Sequence, residues 1–277
     1  MPELPEVETF VRNFRPGLAG RRIVAFESRW KRNVRPDEQI AARTMRGERI
    51  ESVARRGKLI VLHLSGGKAV LIHLRMSGRL AWGEPGAAEP RHVRATWQLD
   101  SGRRLLLCDA RKFARIWVAD DVADAVGALG PEPLDPRFTA SALAARLAGR
   151  RRQIKPLLLD QSVVAGLGNI YTDESLFYAR IHPLTRSDRL APEQVRRLHA
   201  AIRRVLRTAI DRHGTTIDWI YPGGRMQREL AVYGRTGEPC RRCGALIVAL
   251  RVGQRGTHVC PRCQRAPRGA AKPARRC

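Results

Sequence analysis

The sequence predicts an α+β fold: an N-terminal β-sandwich flanked by helices, then a C-terminal helical domain that ends in a four-cysteine zinc finger. Three observations carry this. Short apolar runs separated by Gly-containing turns fill residues 23–118. The stretch Gly130-Pro131-Glu132-Pro133-Leu134-Asp135-Pro136 then gives way to apolar residues at helical spacing. Two Cys-x2-Cys pairs close the patterned part of the chain. The expected boundaries are a sandwich at 1–130, a helical domain at 131–234, a finger at 235–264 and a disordered basic tail at 265–277. At 277 residues the chain is long enough for two modest cores.

In chain order, Val7, Phe10, Val11 and Phe14 fall at i, i+3, i+4 and i+7, so the segment after Pro5 is expected to be an amphipathic helix ending near Pro16-Gly17. Strands are expected at 23–26, 50–53, 59–64, 69–74, 95–99, 105–107 and 116–118, with turns such as Ser65-Gly66-Gly67 and Asp100-Ser101-Gly102 between them. Beyond the proline-rich boundary, Leu143 and Leu147 mark one helix and residues 154–159 another. From 192 to 213 one face carries Val195, Leu198, Ile202, Val205 and Ala209, and the other carries Arg196, Arg197, Arg203, Arg204 and Arg207. An arginine face of this kind is mostly a solvated face that adds general attraction to a polyanion.

Lys plus Arg number 52 against 26 for Asp plus Glu, a net charge of +26. Such self-repulsion favours a polyanionic partner, and nucleic acid is the first candidate. An anionic membrane surface would call for a basic amphipathic helix or an apolar anchor, and the N-terminus shows neither a signal h-region nor a spanning stretch. An intracellular location is therefore expected. Four of the six cysteines form Cys240-x2-Cys243-x16-Cys260-x2-Cys263, in which each pair aims two thiolates at one tetrahedral ion and the sixteen residues between them suit a hairpin. Four thiolates leave no open position, so the zinc is expected to be structural. Cys108 and Cys277 read as ordinary thiols.

The opening run Met1-Pro2-Glu3-Leu4-Pro5-Glu6-Val7-Glu8 holds a second kind of chemistry. Removal of Met1 before a small residue leaves Pro2 as a secondary amine able to form an iminium, with Glu3 beside it as acid or base. By itself the run also fits a plain helix start. Arg255, near Gly253 and Gly256 at the expected hairpin tip, suits a bidentate phosphate grip or a simple surface arginine. Gly166-x-Gly168-Asn169 suits a phosphate seat at a helix start or a tight helix connection. Lys58, where a turn enters an apolar strand, suits a strand-edge guard as well as a functional amine.

Taken together these motifs resemble the formamidopyrimidine-DNA glycosylases, and the resemblance runs from Pro2 to Cys263. It rests on the opening run, on Arg55-Arg56-Gly57-Lys58-Leu59-Ile60, on His73-Leu74-Arg75-Met76-Ser77-Gly78 and on Asp109-Ala110-Arg111-Lys112-Phe113. It extends through residues 161–171, similar to the family's helix-two-turn-helix segment, and through Val232-Tyr233-Gly234-Arg235 into the four-cysteine finger. The resemblance implies a bifunctional DNA glycosylase and AP lyase for oxidised purines such as 8-oxoguanine and formamidopyrimidines, acting on double-stranded DNA as a monomer without a diffusible cofactor. It implies Pro2 as nucleophile, Glu3 as acid and base, and Lys58 and Arg255 as helpers in elimination. Met76 would fill the hole left by an everted base, Arg111 would pair with the orphaned base, and Phe113 would wedge the stack. Asn169 would hold phosphate, and His73, His92 and Arg150 would be further DNA contacts.

The chain departs from the family in three places. Ala110 stands where the family has proline, Ala114 stands where it has glycine, and residues 215–230 look shorter than the loop that covers an extruded purine. The last departure leaves the preferred lesion open. The alternatives are an endonuclease VIII-like glycosylase for oxidised pyrimidines or bulky lesions, and a non-catalytic zinc-ribbon DNA-binding protein. Leu4, where the endonuclease VIII branch usually has glycine, favours the purine branch, and the presence of Pro2, Glu3 and Lys58 argues against lost chemistry.

Overall fold

The computed structural model describes residues 1–216 and 223–267. The centre of the 215–230 segment and nearly all of the basic tail, Cys277 included, lie outside the described residues. The chain divides into two compact units, one of Met1–Ala128 with His213–Gly224 and one of Leu129–Arg212 with Arg225–Cys277.

The first unit opens with helix α1 (Leu4–Leu18), followed by β1 (Ile23–Ser28), β2 (Val34–Arg35), α2 (Glu38–Met45), β3 (Ile50–Arg56), β4 (Leu59–Leu64), β5 (Ala69–His73), β6 (Gly78–Gly83), β7 (Val93–Leu99), β8 (Arg104–Asp109), β9 (Arg115–Ala119) and α3 (Val122–Val126). One sheet has the order β1-β7-β8-β6 and the other β2-β9-β5-β4-β3. The alternation of β7 shows why they stack: Val93, Ala95, Trp97 and Leu99 are buried while Arg94, Thr96 and Gln98 are partly exposed. Ala95, Trp97, Leu105 and Leu107 of one sheet share a core with Ile60, Leu62, Val70 and Ile72 of the other.

Helix α1 adds the stripe Val7, Phe10, Val11 and Phe14 to this core, together with Leu18. Each such side chain contributes about 1.5–3 kcal/mol of burial. The helix begins earlier and ends later than its sequence suggests. Pro5 sits in the first turn, where its missing N–H costs nothing, and Pro16 sits in the last turn, where it costs only one bond before Ala19 N–H closes on the Arg15 carbonyl at 2.9 Å. Sequence reading passes over β2, α2 and β6. For α2 a signal exists: Asp37 caps it by accepting from Ile40 N–H at 2.9 Å, and Ala41 and Met45 are its buried pair at i, i+4.

The second unit contains α4 (Ala140–Leu147), α5 (Ile154–Leu159), α6 (Asn169–Ala179), α7 (Pro192–Asp211) and a finger hairpin of β10 (Val248–Val252) and β11 (Arg255–Val259). The stripe on α7 is buried as its spacing predicts. Arg203 departs from the solvated-face reading, because its guanidinium donates to the carbonyls of Pro133 at 2.9 Å, Asp135 at 2.8 Å and Leu134 at 3.3 Å. It ties α7 to the proline-rich segment.

Helix α6 is buried on nearly every side, including Asp173 and Glu174. Asp173 accepts from Lys155 Nζ at 2.6 Å and from His258 N–H at 2.9 Å, so it binds α5 to β11. Glu174 accepts the N–H groups of Ala231, Val232 and Tyr233 at 2.8–2.9 Å, which docks the chain leading into the finger. Burial pushes the Glu174 carboxyl above its usual range, against the pull of those three donors.

Candidate active site

Pro2 and Glu3 are buried at the start of α1, and Glu3 N–H donates to the Glu6 carboxylate at 2.8 Å. Glu6 is itself fully buried and accepts from Thr215 N–H at 2.7 Å and Thr215 Oγ1 at 3.0 Å. The helix start is thus clipped to Thr215, far along the chain. Gly214, at φ +75, leaves room for the contact, since a Cβ there would sit 2.6 Å from Glu6 Oε1.

Lys58 is buried at the β3–β4 turn, beside Gly57 at φ +57. Glu8 of α1 accepts from Arg55 Nε at 3.1 Å, and Arg55 donates on to the Gly57 carbonyl at 3.1 Å, so the turn bearing Lys58 is tied to the helix bearing Pro2. The chain-terminal amine, here on Met1, is pushed below its ordinary value of 8.0, first by burial; Glu3 and Glu6 oppose the shift and the charges of Lys58 and Arg111 add to it.

Two loop tips stand out from this unit. Met76 and Phe113, 44% and 42% exposed, are among the large apolar side chains that the described residues leave at the surface. The Arg111 guanidinium lies over the Phe113 ring at 4.9 Å. Gly78 N–H closes the first loop on the Leu74 carbonyl at 2.9 Å. Beneath both loops lies Asp109, 1% exposed. Its Oδ1 accepts from the Ser77 hydroxyl and from Arg111 N–H at 3.2 Å, and its Oδ2 accepts from Ala114 N–H at 2.7 Å. Ala114 replaces the family's glycine without strain: it is absent from the positive-φ residues, and its methyl group is buried in the sandwich core.

His73 is half-buried, and its Nδ1 accepts from Arg75 N–H at 2.9 Å. Burial, with Arg75 and Lys58 adding to it, pushes this imidazole down to about 3, so it is neutral with its proton on Nε2. His92 is exposed, and its carbonyl accepts from Asp109 N–H at 2.9 Å. Six non-glycine residues among those described have positive φ, and four of them, Arg75, His92, Lys112 and Gln254, are a candidate contact or its chain neighbour. Each costs roughly 1–3 kcal/mol that the surrounding bonds must offset, a concentration typical of functional loops.

In the second unit Asn169 opens α6, and its Nδ2 donates to the Gly256 carbonyl at 3.0 Å while its buried Oδ1 has no donor. Gly256 follows Arg255, which is exposed as the first residue of β11 and pairs across the hairpin with Val252. Lys155, fully buried, donates to Gly256 O at 3.0 Å and Thr257 Oγ1 at 2.8 Å. The structure therefore brings Asn169 and Arg255 to one place on a rigid mount. Arg150 stands on an exposed turn after α4, and its carbonyl accepts from the Ser187 hydroxyl.

The four cysteine sulfurs lie within 4.8 Å of one another, with Cys243 to Cys260 at 3.4 Å and Cys240 to Cys263 at 4.0 Å. Sulfurs around a tetrahedral zinc are about 3.8 Å apart, so the cluster fits the ion. Without a cation the thiols are poorly matched. Backbone donation from Ala245 leads in holding Cys243 at about 7, while burial and the neighbouring thiols push Cys263 up to about 12. One zinc ion turns all four into ligands and has a structural role, since no position remains for substrate.

Sequence reasoning missed Asp109, Glu6, Lys155, Asp173 and Glu174 as supports of the site. Glu6 and Asp109 lie inside quoted motifs, but no local spacing assigns any of the five a supporting role. Their partners come from as far as Thr215 for Glu6 and Thr257 for Lys155, and only folding supplies those.

The first unit offers a buried Pro2 beside two carboxylates and a lysine, with apolar and cationic loop tips, and the second offers an arginine on a four-cysteine hairpin; each feature suits a protein that acts on DNA. Family models for the formamidopyrimidine-DNA glycosylase N-terminal domain, its H2TH domain and the zinc finger found in FPG and IleRS match residues 1–116, 129–220 and 237–266. The formamidopyrimidine-DNA glycosylase of Symbiobacterium thermophilum is 46% identical, over 100% of this chain and 93% of its own length; that of Chloroflexus aurantiacus is 47% identical, over 95% and 98%. The Lactococcus lactis Fpg bound to DNA containing an abasic site superposes with a TM-score of 0.89 at 35% identity, covering 95% of this chain and 100% of that one. MutM bound to DNA containing carbocyclic 8-oxo-G gives 0.90 at 36% identity, covering 96% and 100%. The chain belongs to the formamidopyrimidine-DNA glycosylase family, and is a zinc-containing DNA-repair enzyme, a bifunctional glycosylase and AP lyase for oxidised purines.

Proposed function

We propose that Pro2, freed by removal of Met1, is the nucleophile of both reactions. Its neutral amine attacks C1′ of the damaged nucleotide, the N-glycosidic bond breaks, and the base leaves with a proton delivered through Glu3. Opening of the sugar gives an iminium between Pro2 and C1′. Loss of a C2′ proton then expels the 3′ phosphate, and a second elimination expels the 5′ phosphate, with Lys58 and Arg255 balancing phosphate charge. Met76 and Phe113 occupy the space left by the everted nucleotide, and Arg111 pairs with the orphaned base. Asn169, Arg255, His73, His92 and Arg150 hold the backbone, so they position the duplex without reading its sequence. The enzyme works on chromosomal DNA in the cytoplasm as a monomer.

What supports this reading above all is the burial of Pro2 and Glu3 at the start of α1, with the terminal amine just before them within reach of the charges of Glu3, Glu6, Lys58 and Arg111. Borohydride reduction in the presence of abasic-site DNA tests it. The native protein should give a covalent adduct through Pro2, Pro2→Gly should trap more slowly, and an N-terminal extension that retains Met1 should abolish trapping. If the extended protein traps as well as the native one, a lysine is the nucleophile.

For the lesion we propose that formamidopyrimidine is cut faster than 8-oxoguanine opposite cytosine. The short 215–230 segment supports this, because a ring-opened purine depends less on a closed cover. Equal or faster cleavage of 8-oxoguanine removes the argument, and preference for thymine glycol would support the pyrimidine-type reading.

A further inference from the structure

Met76 and the pair Arg111 and Phe113 are brought by two loops separated by more than thirty residues of chain, and each loop contains a left-handed non-glycine residue, Arg75 at φ 55 and Lys112 at φ 59. Strained tips of this kind hold one shape only if something beneath them fixes it. One side chain reaches both. The Asp109 carboxylate accepts from Ser77, the residue after Met76, and from the N–H groups of Arg111 and Ala114, which bracket Lys112 and Phe113. Its backbone is held as well, with N–H donated to the His92 carbonyl at 2.9 Å and its carbonyl accepting from Arg94 Nε at 2.8 Å.

We propose that Asp109 is a positioning residue that locks the two loops into a single insert, and that this lock sets how strictly the enzyme discriminates the base opposite the lesion. The inference rests on the reading that Met76, Arg111 and Phe113 enter the opened duplex. A carboxylate suits the task because it has acceptors only, and all three of its partners donate. A buried carboxyl left without partners would be costly, so the group and its three donors are held together. With the lock intact, Arg111 presents its guanidinium at one distance and angle to the orphaned base. Without it the tips relax independently, and excision depends less on which base stands opposite the lesion.

Asp109→Asn tests this, because the amide keeps the size but turns one acceptor into a donor that faces an N–H group. Two readouts are compared: excision of 8-oxoguanine opposite cytosine and opposite adenine in duplex DNA, and borohydride trapping on a single-stranded abasic oligonucleotide, which has no opposite base. Losing one charge-assisted bond under the loops should lower duplex excision opposite cytosine about tenfold or more relative to single-strand trapping, and should bring the cytosine-to-adenine ratio towards one. Ser77→Ala, which releases only the Met76 loop, should lower duplex excision less and keep most of the ratio. An unchanged ratio in Asp109→Asn overturns the proposal, as does an equal loss in duplex excision and single-strand trapping, which would mean general damage to the fold. Arg111→Ala and Met76→Ala in the same assays separate the two ideas: if neither impairs duplex excision, the reading of the loops fails; if both do while Asp109→Asn does not, only the lock fails.

Discussion

At the scale of single residues the terminal amine decides the pH behaviour. On the proposed mechanism the reaction uses its neutral form; burial lowers the pKa of the amine on Met1 below 8.0, with Lys58 and Arg111 adding to the shift and Glu3 and Glu6 opposing it. Pro2 is itself buried, so the same desolvation acts on it once Met1 is gone. The sign follows directly. The trapping rate should fall as pH drops through a value below 8.0 and should level off above it. Removing a neighbouring cation relieves repulsion of the protonated amine, so Lys58→Met should move the acid limb to higher pH; Glu3→Gln removes a stabilising carboxylate and should move it lower. A pH series of single-turnover borohydride trapping measures both. Shifts in the same direction for the two variants would show that charge at these positions does not govern the amine.

At the scale of elements the finger hairpin is held twice, by the four thiolates at its base and by Lys155 and Asp173 under β11. Zinc supplies apparent folding energy of about 10–16 kcal/mol in isolated fingers, more than a hairpin of five-residue strands could lose and survive. Chelation, or Cys243→Ser, should therefore unfold residues 237–266 while leaving the sandwich protected in hydrogen exchange. DNA affinity should fall by about tenfold or more, the worth of one charge-assisted phosphate contact, because Arg255 loses its mount. Full affinity in a zinc-free protein would show that the hairpin folds without metal. Most of these elements were legible in advance. The apolar stripe of α1, the strands β4 and β5 and the cysteine spacing are local patterns that burial then completes. Strand β6 was not legible, because Gly78-Arg79-Leu80-Ala81-Trp82-Gly83 alternates weakly and gains its place only by pairing with β8.

For the whole molecule the charge of +26 sets the terms of association. Cations that meet phosphates release counterions, so affinity falls steeply with salt. Arg255→Ala should weaken binding about equally on different DNA sequences and reduce the slope of log affinity against log salt by about one. Asn169→Ala should weaken binding with little change of slope, since an amide carries no charge. Anisotropy titrations across a salt series give both numbers, and an unchanged slope for Arg255→Ala would mean that this arginine does not meet phosphate. Among the described residues no helix is long and apolar enough to cross a membrane.

The sequence by itself determined the α+β class, the helix behind Pro2 and the four-cysteine zinc cluster, because each is written in neighbours a few positions apart: a helical stripe, an alternating strand, a Cys-x2-Cys turn. Only the tertiary structure decided what holds those residues. Asp109 joins Ser77 to Ala114, Glu6 joins Glu3 to Thr215, and Lys155 joins Asp173 to Thr257. The physical reason is that a buried charge is tolerable only when folding brings its partners from distant parts of the chain, and no spacing in the sequence records that meeting.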